Sequence, residues 1–287
     1  MRNLIEISEV APAGGWRGWV AVRAGGKEQF SKSGWEKLLA RPEKLFEGTQ
    51  QTLKSEGLNT VTVKHLDIGG RGVKAVIKRR YRGGGIRGIC RSMGAAHAIR
   101  NFIAAVKMKQ YGLPVAAPLA AVYHKRFLFC DESIYISEYV EGTNLHEFLS
   151  NMRARGAERY WIMRELCGKM AEIFAELHKN NLWHRDAKAT NFVVNQDGDG
   201  EYQITIADVD GIKQYLSRSE ERQTQGLWQL AASVMGLPGI TRTDYLRAFE
   251  MYCDEVRIPE RERREIFRRL ARKAQAKYHL KQAGQGR

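Results

Sequence analysis

Residues 184–191 read His184-Arg185-Asp186-Ala187-Lys188-Ala189-Thr190-Asn191, and no other stretch narrows the folds open to this chain so far. The H-R-D-x-x-x-x-N spacing sets three tasks of phosphoryl transfer in one short loop. Asp186 can accept a hydroxyl proton, Lys188 can neutralise the moving group, and Asn191 can hold Mg²⁺. Four fixed residue types, each at about one in twenty usage, coincide by chance in about one chain in five hundred of this length. The bland alternative is a polar turn behind a helix, so the flanking sequence must decide.

A catalytic loop of this kind needs a helix before it and a metal-binding strand end after it. Leu166, Met170, Ile173, Phe174 and Leu177 recur at spacings of three and four, which predicts a helix over about 160–179. Asn180-Asn181 ends it. Downstream, Asn191 to Val194 and Tyr202 to Ile206 read as two strands joined by the turn Asp197-Gly198-Asp199-Gly200. The hairpin delivers Ala207-Asp208-Val209-Asp210-Gly211, where a kinase places its D-F-G aspartate. Asp208 lies 22 residues after Asp186 and is the expected second metal ligand beside Asn191. Asp210 adds another carboxylate, as ligand or loop anchor. Two carboxylates and an amide suit Mg²⁺, which keeps waters and phosphate oxygens in its shell.

The nucleotide side of such an enzyme needs a strand lysine for the α/β-phosphates. Ala75-Val76-Ile77-Lys78 is close to V-A-I-K, and Lys78 is preferred over Lys74, which shares its strand face. A phosphate-covering loop is expected around Lys54 to Asn59, with Ser55 as a polar contact, although no G-x-G-x-x-G occurs there. A helix is expected from about residue 94 to Tyr111, closed by Gly112 and Pro114. It contains no acidic residue to pair with Lys78. Asn101 stands near that place and offers a hydrogen bond without charge. Ser133 to Ser137 reads as a strand leading to Glu138, Tyr139 and Val140, the expected adenine-binding hinge. A helix then starts at Thr143 or Asn144.

These elements predict an α+β chain with a bilobal protein-kinase-like fold, a small β-rich N-lobe and a larger, mostly helical C-lobe. The expected divisions are an N-terminal extension over 1–50, a nucleotide-binding N-lobe over 51–138 and a C-lobe over 139–287. ATP is expected between the lobes with Mg²⁺. The 287 residues contain no apolar run long enough to span a bilayer, and no signal peptide is legible. Cys90, Cys130, Cys167 and Cys253 lack metal-ligand spacing, so reduced thiols in the cytoplasm are expected. The formal net charge is +15. It gathers in Arg79 to Lys109 and from Arg257 onward, where eleven Lys/Arg face three Glu. An anionic membrane surface or a phosphorylated glycolipid suits such segments. A solvated helix face laced with Glu–Arg pairs is the competing reading of the tail. Nucleic acid is not expected, because neither segment interleaves aromatic with basic residues.

The stretch from about Lys54 to Tyr252 resembles the lipopolysaccharide core kinases, the Kdo/heptose kinase family. The carriers are Ala75-Val76-Ile77-Lys78-Arg79 with Tyr81-Arg82, and Arg100-Asn101. Gly112-Leu113-Pro114-Val115, Pro118-Leu119-Ala120 and Trp183 through Asn191 add to them, as do Ala207 through Ile212 and Thr241-Arg242-Thr243-Asp244. The resemblance implies ATP-dependent phosphorylation of a Kdo or heptose hydroxyl in the lipopolysaccharide inner core. It also implies work at the cytoplasmic face of a Gram-negative inner membrane. From the residues alone, two alternatives stay open. One is a kinase for a protein or small-molecule acceptor. The other is a catalytically impaired pseudokinase serving as a nucleotide-dependent binding module.

Overall fold

The computed structural model describes residues 5–12, 14–24, 27–48, 51–81, 96–126, 129–215 and 219–285. The chain forms two compact units, residues 1–139 and 140–287. Most of the basic Arg79 to Arg91 stretch, Cys90 and the first two residues of the helix expected from 94 lie outside the described residues.

Unit 1 is built on one antiparallel sheet. Its strands are β1 (Ile5–Val10), β2 (Trp16–Ala24), β3 (Lys27–Glu28), β4 (Gln51–Glu56), β5 (Asn59–Asp67), β6 (Gly72–Tyr81), β7 (Pro118–Arg126) and β8 (Phe129–Glu138). The order is β1-β2-β7-β8-β6-β5-β4, with β3 beside β2. Alternation makes these strands. In β6, Ala75 and Ile77 are buried while Lys74, Val76 and Lys78 turn the other way. Val10, Val20, Phe30, Trp35, Leu39 and Leu45 belong to this sheet's core. Helix α1 (Lys32–Leu39) lays Trp35 and Leu39 into the cluster that holds Val20, Ile77, Val122 and Ile136. The Trp35 indole donates to the Ala21 carbonyl at 3.1 Å, so its one polar atom is satisfied in the core. Lys64 caps the carbonyls of Lys44 and Glu47 at 2.8 and 2.5 Å. Arg71 reaches the Gln29 carbonyl at 2.9 Å.

The expected phosphate-covering loop is a tight hairpin. β4 and β5 are joined through Gly57-Leu58, with Gly57 at φ +53, which favours glycine. Ser55 therefore stands in β4 opposite Thr60, exposed, and not in the turn. Helix α2 (His97–Gln110) packs on β7 and β8 and stops at Gly112, φ +80.

Unit 2 is mainly helical. Its elements are β9 (Thr143–Asn144), α3 (Leu145–Ser150), α4 (Arg159–Lys179), β10 (Leu182–His184), β11 (Phe192–Gln196), β12 (Tyr202–Ile206), β13 (Ile212–Gln214), α5 (Glu220–Val234), α6 (Arg242–Val256) and α7 (Glu260–Gln285). Asn144 caps α3 by accepting from the Glu147 N–H at 3.0 Å. The stripe of α4 is wide enough to make it the central helix, buried from Ile162 to Leu177. α6 is fastened to it by Asp244. That carboxylate takes an ion pair from Arg159 and another from Arg247 at 2.9 Å, and closes a capping box with Thr241. In α7, Ile266, Leu270 and Ala274 are buried at four-residue spacing, and most of the basic residues are exposed. No helix among the described residues is long and apolar enough to cross a membrane.

Candidate active site

The loop around Asp186 is fixed from both flanks. Helix α4 ends at Asn180, and Asn181 at φ +54 turns the chain into β10. β10 pairs with β13, setting His184 opposite Ile212. The next rung continues into the loop, where the Arg185 N–H donates to the Gly211 carbonyl at 2.8 Å. On the other side, the Ala207 N–H donates to the Asn191 carbonyl at 2.9 Å. The Asp208 segment is thereby sewn to both ends of residues 185–191.

Inside the loop, the Asp186 carbonyl accepts twice, from the Lys188 N–H and from Asn191 Nδ2, each at 2.9 Å. With its nitrogen so engaged, the Asn191 amide presents its oxygen as the remaining donor atom for a cation. Lys188 Nζ lies 2.8 Å from Asp186 Oδ2. Both side chains are about half exposed, 51% and 45%, so the pair contributes little stability. Its consequence is orientation: the carboxylate and the ammonium stand side by side at the mouth of the loop. Asp208 Oδ1 accepts from the Asp210 N–H at 3.1 Å, a self-closing turn that aims the carboxylate. Asp208 is half-buried and Asp210 exposed.

Below the loop sits His184, fully buried and tilted against Phe192 with ring centroids 5.9 Å apart. Burial pushes its pKa down to about 4, against the pull of the Asp208 and Asp186 charges. The imidazole is therefore neutral near pH 7. Neither of its nitrogens has a hydrogen-bond partner among the described residues. Gly211 lies against this ring so closely that a Cβ would stand 2.6 Å from His184 Nδ1.

Helix α5 supplies supports that sequence reasoning missed. Gln225, Gln229 and Ser233 recur at four-residue spacing and meet the loop. Gln225 Nε2 and Gln229 Nε2 donate to the Arg185 carbonyl at 3.3 and 2.7 Å, and Ser233 Oγ accepts the Ala189 N–H at 2.9 Å. The legible signal was a polar stripe on an otherwise amphipathic helix. Lys277 of α7 adds a bond to Gln229 Oε1 at 2.8 Å.

Asp186, Lys188, Asn191, Asp208 and Asp210 are thus gathered on two adjoining loops of unit 2. Among the described residues no group of three or more His, Cys, Asp or Glu side chains forms a cation cage. The donor set here, two carboxylates and an amide, fits a hard cation that takes its other ligands from phosphate and water. An apolar cavity of about 430 Å³ lies elsewhere in unit 2, lined by residues such as Leu166, Met170, Trp228, Phe249 and Leu270. Its charged lining includes Arg242 and Asp244, and Asp244 is already engaged by Arg159 and Arg247.

In unit 1, Lys78 faces the same side of the sheet as its register partners Tyr135 and Val61 and is half-buried. Lys74 lies over the Tyr139 ring, 3.9 Å from its centroid. Asn101 is buried in α2. The backbone donors at the expected hinge are committed within unit 1. Glu138 N–H donates to the Ala117 carbonyl and Tyr139 N–H to the Lys74 carbonyl, each at 2.9 Å. The Glu138 side chain is electrostatically engaged with Lys109 of α2. Burial holds the Lys109 pKa below the usual lysine value while Glu138 pulls it back. Arg79 is likewise used internally, paired with Glu132 at 2.5 Å and stacked over Phe46 and Tyr81. On α7, Arg263, Arg269 and Lys273 are paired with carboxylates of α6 and α5.

The profile of the lipopolysaccharide kinase (Kdo/WaaP) family matches residues 55–252. The solved structure of WaaP in complex with acyl carrier protein superposes with a TM-score of 0.64 at 18% identity, covering 87% of this chain and 98% of that one. A protein named as a probable serine/threonine-protein kinase of Dictyostelium discoideum is 36% identical over 83 residues, which is 28% of this chain. The match spans only 15% of that kinase's length.

Proposed function

We propose, because this chain belongs to the lipopolysaccharide kinase (Kdo/WaaP) family, that it transfers the terminal phosphoryl group of ATP to a Kdo or heptose hydroxyl of the lipopolysaccharide inner core. The observation that carries the reading is the paired loop: Asp186 beside Lys188, with Asn191 and the Asp208 turn sewn to its ends.

Each residue has an assigned task. Asp186 orients the sugar O–H and takes its proton as the hydroxyl oxygen bonds to the γ-phosphorus. The bond from that phosphorus to the β,γ-bridging oxygen breaks, and ADP leaves. Lys188 offsets charge on the transferring group. Asn191 and Asp208 would hold Mg²⁺, with Asp210 anchoring the turn; when bound, the cation supplies charge neutralisation at phosphate oxygens. Lys78 is assigned to the α/β-phosphates, and Asn101 to its orientation by a neutral hydrogen bond. Ser55 is assigned to the phosphate-covering hairpin. With the N–H groups of Glu138 and Tyr139 committed, the purine contacts we assign are the Glu138 carbonyl and the Val140 N–H. The transition state is loose, so acceleration comes mainly from alignment and charge placement.

The test is transfer from labelled ATP to a panel of truncated inner-core acceptors, read by mass spectrometry. One phosphate should appear on acceptors carrying the target sugar and on none lacking it. Phosphate on a protein or metabolite acceptor instead would replace the sugar assignment. A binding module is the second reading, and the observation favouring it is that α2 contains no acidic residue. Nucleotide binding without turnover would select it. Because the WaaP neighbour was solved with acyl carrier protein, such a carrier is a partner to test. We place the protein in the cytoplasm, with peripheral contact at an anionic membrane surface through the cations of α7.

A further inference from the structure

The catalytic loop is held by a chain of contacts that begins in the C-terminal helix, beyond the segment that the family profile matches. Gln229 is buried, 6% exposed, yet both ends of its amide are satisfied. Its Nε2 donates to the Arg185 carbonyl at 2.7 Å, and its Oε1 accepts from Lys277 Nζ at 2.8 Å. The Lys277 ammonium also lies 5.4 Å from the centroid of the Trp228 ring, so its stem and head are both placed. Arg185 immediately precedes Asp186. On the same side of α7, Arg269 and Lys273 pair with Glu220 and Glu221 of α5, and Lys277 follows at the same four-residue spacing, in contact with Gln229. Farther along, Tyr278 closes on Gly236 just past the end of α5.

We propose that Lys277 is a positioning residue for phosphoryl transfer. Acting through Gln229 and the Arg185 carbonyl, it fixes where Asp186 stands and makes the C-terminal helix part of the catalytic apparatus. This rests on the kinase reading given above. Without the Lys277 donor, the Gln229 oxygen is left buried and unpaired, and the amide gains a reason to turn away from Arg185. Burial lowers the Lys277 pKa, while the Asp186 charge raises it. The ammonium is therefore within electrostatic reach of the carboxylate that it helps to place.

The experiment compares full-length wild type with Lys277→Met, Lys277→Arg and Lys273→Met. Methionine keeps an apolar stem over Trp228 but has neither donor nor charge. Transfer kinetics use ATP, Mg²⁺ and inner-core oligosaccharide, and hydrogen exchange follows the backbone amides of Lys188 and Asn191. Lys277→Met should lower kcat about tenfold or more, as misplacement of a reacting group does, with the KM for ATP unchanged. Its loop amides should exchange about tenfold faster, and its thermal midpoint should stay within about 3 °C of wild type. Lys277→Arg should recover most of the rate. Lys273→Met, which breaks only a surface pair on the same side of the helix, should match wild type. An unchanged kcat in Lys277→Met would overturn the proposal. So would a loss that tracks the thermal midpoint and is not recovered by arginine. If wild type transfers no phosphate, the kinase reading fails, and loop exchange alone decides: unchanged exchange rejects the positioning role and faster exchange supports it.

Discussion

Replacing Gly211 by alanine tests the joint between the two loops. A Cβ there would stand 2.6 Å from His184 Nδ1, 2.7 Å from His184 Cε1 and 3.1 Å from the Asp186 nitrogen. Ordinary carbon contacts begin near about 3.5 Å, so the neighbours must retreat by roughly 0.8 Å. The ring cannot swing into solvent, because it is fully buried beside Phe192. Nor can Gly211 back away freely, because its carbonyl holds the Arg185 N–H at 2.8 Å. The displacement therefore passes into residues 184–186. Overpacking of this kind costs about 1–3 kcal/mol of stability. A shift of several tenths of an ångström at Asp186 should lower kcat by about ten- to a hundredfold, equivalent to about 1.4–2.7 kcal/mol. Urea unfolding reads the first quantity and steady-state phosphoryl transfer the second. Gly198→Ala is the control. It lies in the hairpin turn beyond β11, nothing stands within 4 Å of its added Cβ, and its stability should stay within about 0.5 kcal/mol of wild type. Gly211→Ala with a wild-type urea midpoint and a wild-type kcat would refute the close approach and with it the coupling of the loops.

Three further outcomes are expected. Asp186→Ala should lose about 10²–10⁴-fold in kcat while equilibrium dialysis still shows ATP bound; near-normal turnover would remove Asp186 from its role. Trp35→Ala should destabilise the fold by about 3–5 kcal/mol, seen as a lower urea midpoint, because its indole is fully buried in the sheet core; a change under about 1 kcal/mol would mean that residues 5–46 are not integral to it. Stability should also fall below neutral pH. Burial lowers the pKa of His178 to about 3 and of His184 to about 4, so the unfolded chain, titrating near 6.5, takes up these protons first. Stability intact above about pH 6.5 is then lost toward the folded-state values, by roughly 2–3 kcal/mol for each histidine at pH 4.5. Asp197 and Asp244, whose pKa values lie below the usual carboxylate value, add their losses only at lower pH. A urea midpoint that stays flat from pH 7.5 to 4.5 would contradict the neutral, buried state of the two rings.

What the sequence disclosed followed from distance along the chain. The spacing from His184 to Asn191 was legible because the residues to which we assign the chemistry sit in one short loop. The β11–β12 hairpin was legible because Asp197 makes its own turn, accepting the N–H groups of Asp199 and Glu201. Pairings across long separations were not legible. β2 joins β7 about a hundred residues away, and no local pattern says that residues 5–24 will extend that sheet. Around residues 54–59 the turn at Gly57 is legible locally, but the pairing of β4 with β5 that flanks it is not. Gln225, Gln229 and Ser233 were passed over because an amide or hydroxyl acquires a role only from what it faces. Lys277 is one of eleven Lys/Arg residues from Arg257 onward, and only the fold shows that it turns inward.

The supports also bear on whether the loop transfers phosphate or only binds nucleotide. Holding a buried amide such as Gln229 costs desolvation, which is offset only if both its ends find partners. The partners it finds are the backbone one residue before Asp186 and a lysine of another helix. Gln225, Ser233 and Gly211 converge on the same few residues. Nucleotide binding tolerates a loop that wanders by an ångström, because affinity is spread over many contacts. Proton acceptance in the transition state does not, because its benefit depends on reach and alignment at one atom. The absence of an acid in α2 bears only on the lysine that we assign to the phosphates. It leaves untouched the rigid placement of Asp186, the property that a transferase needs and a binding module does not.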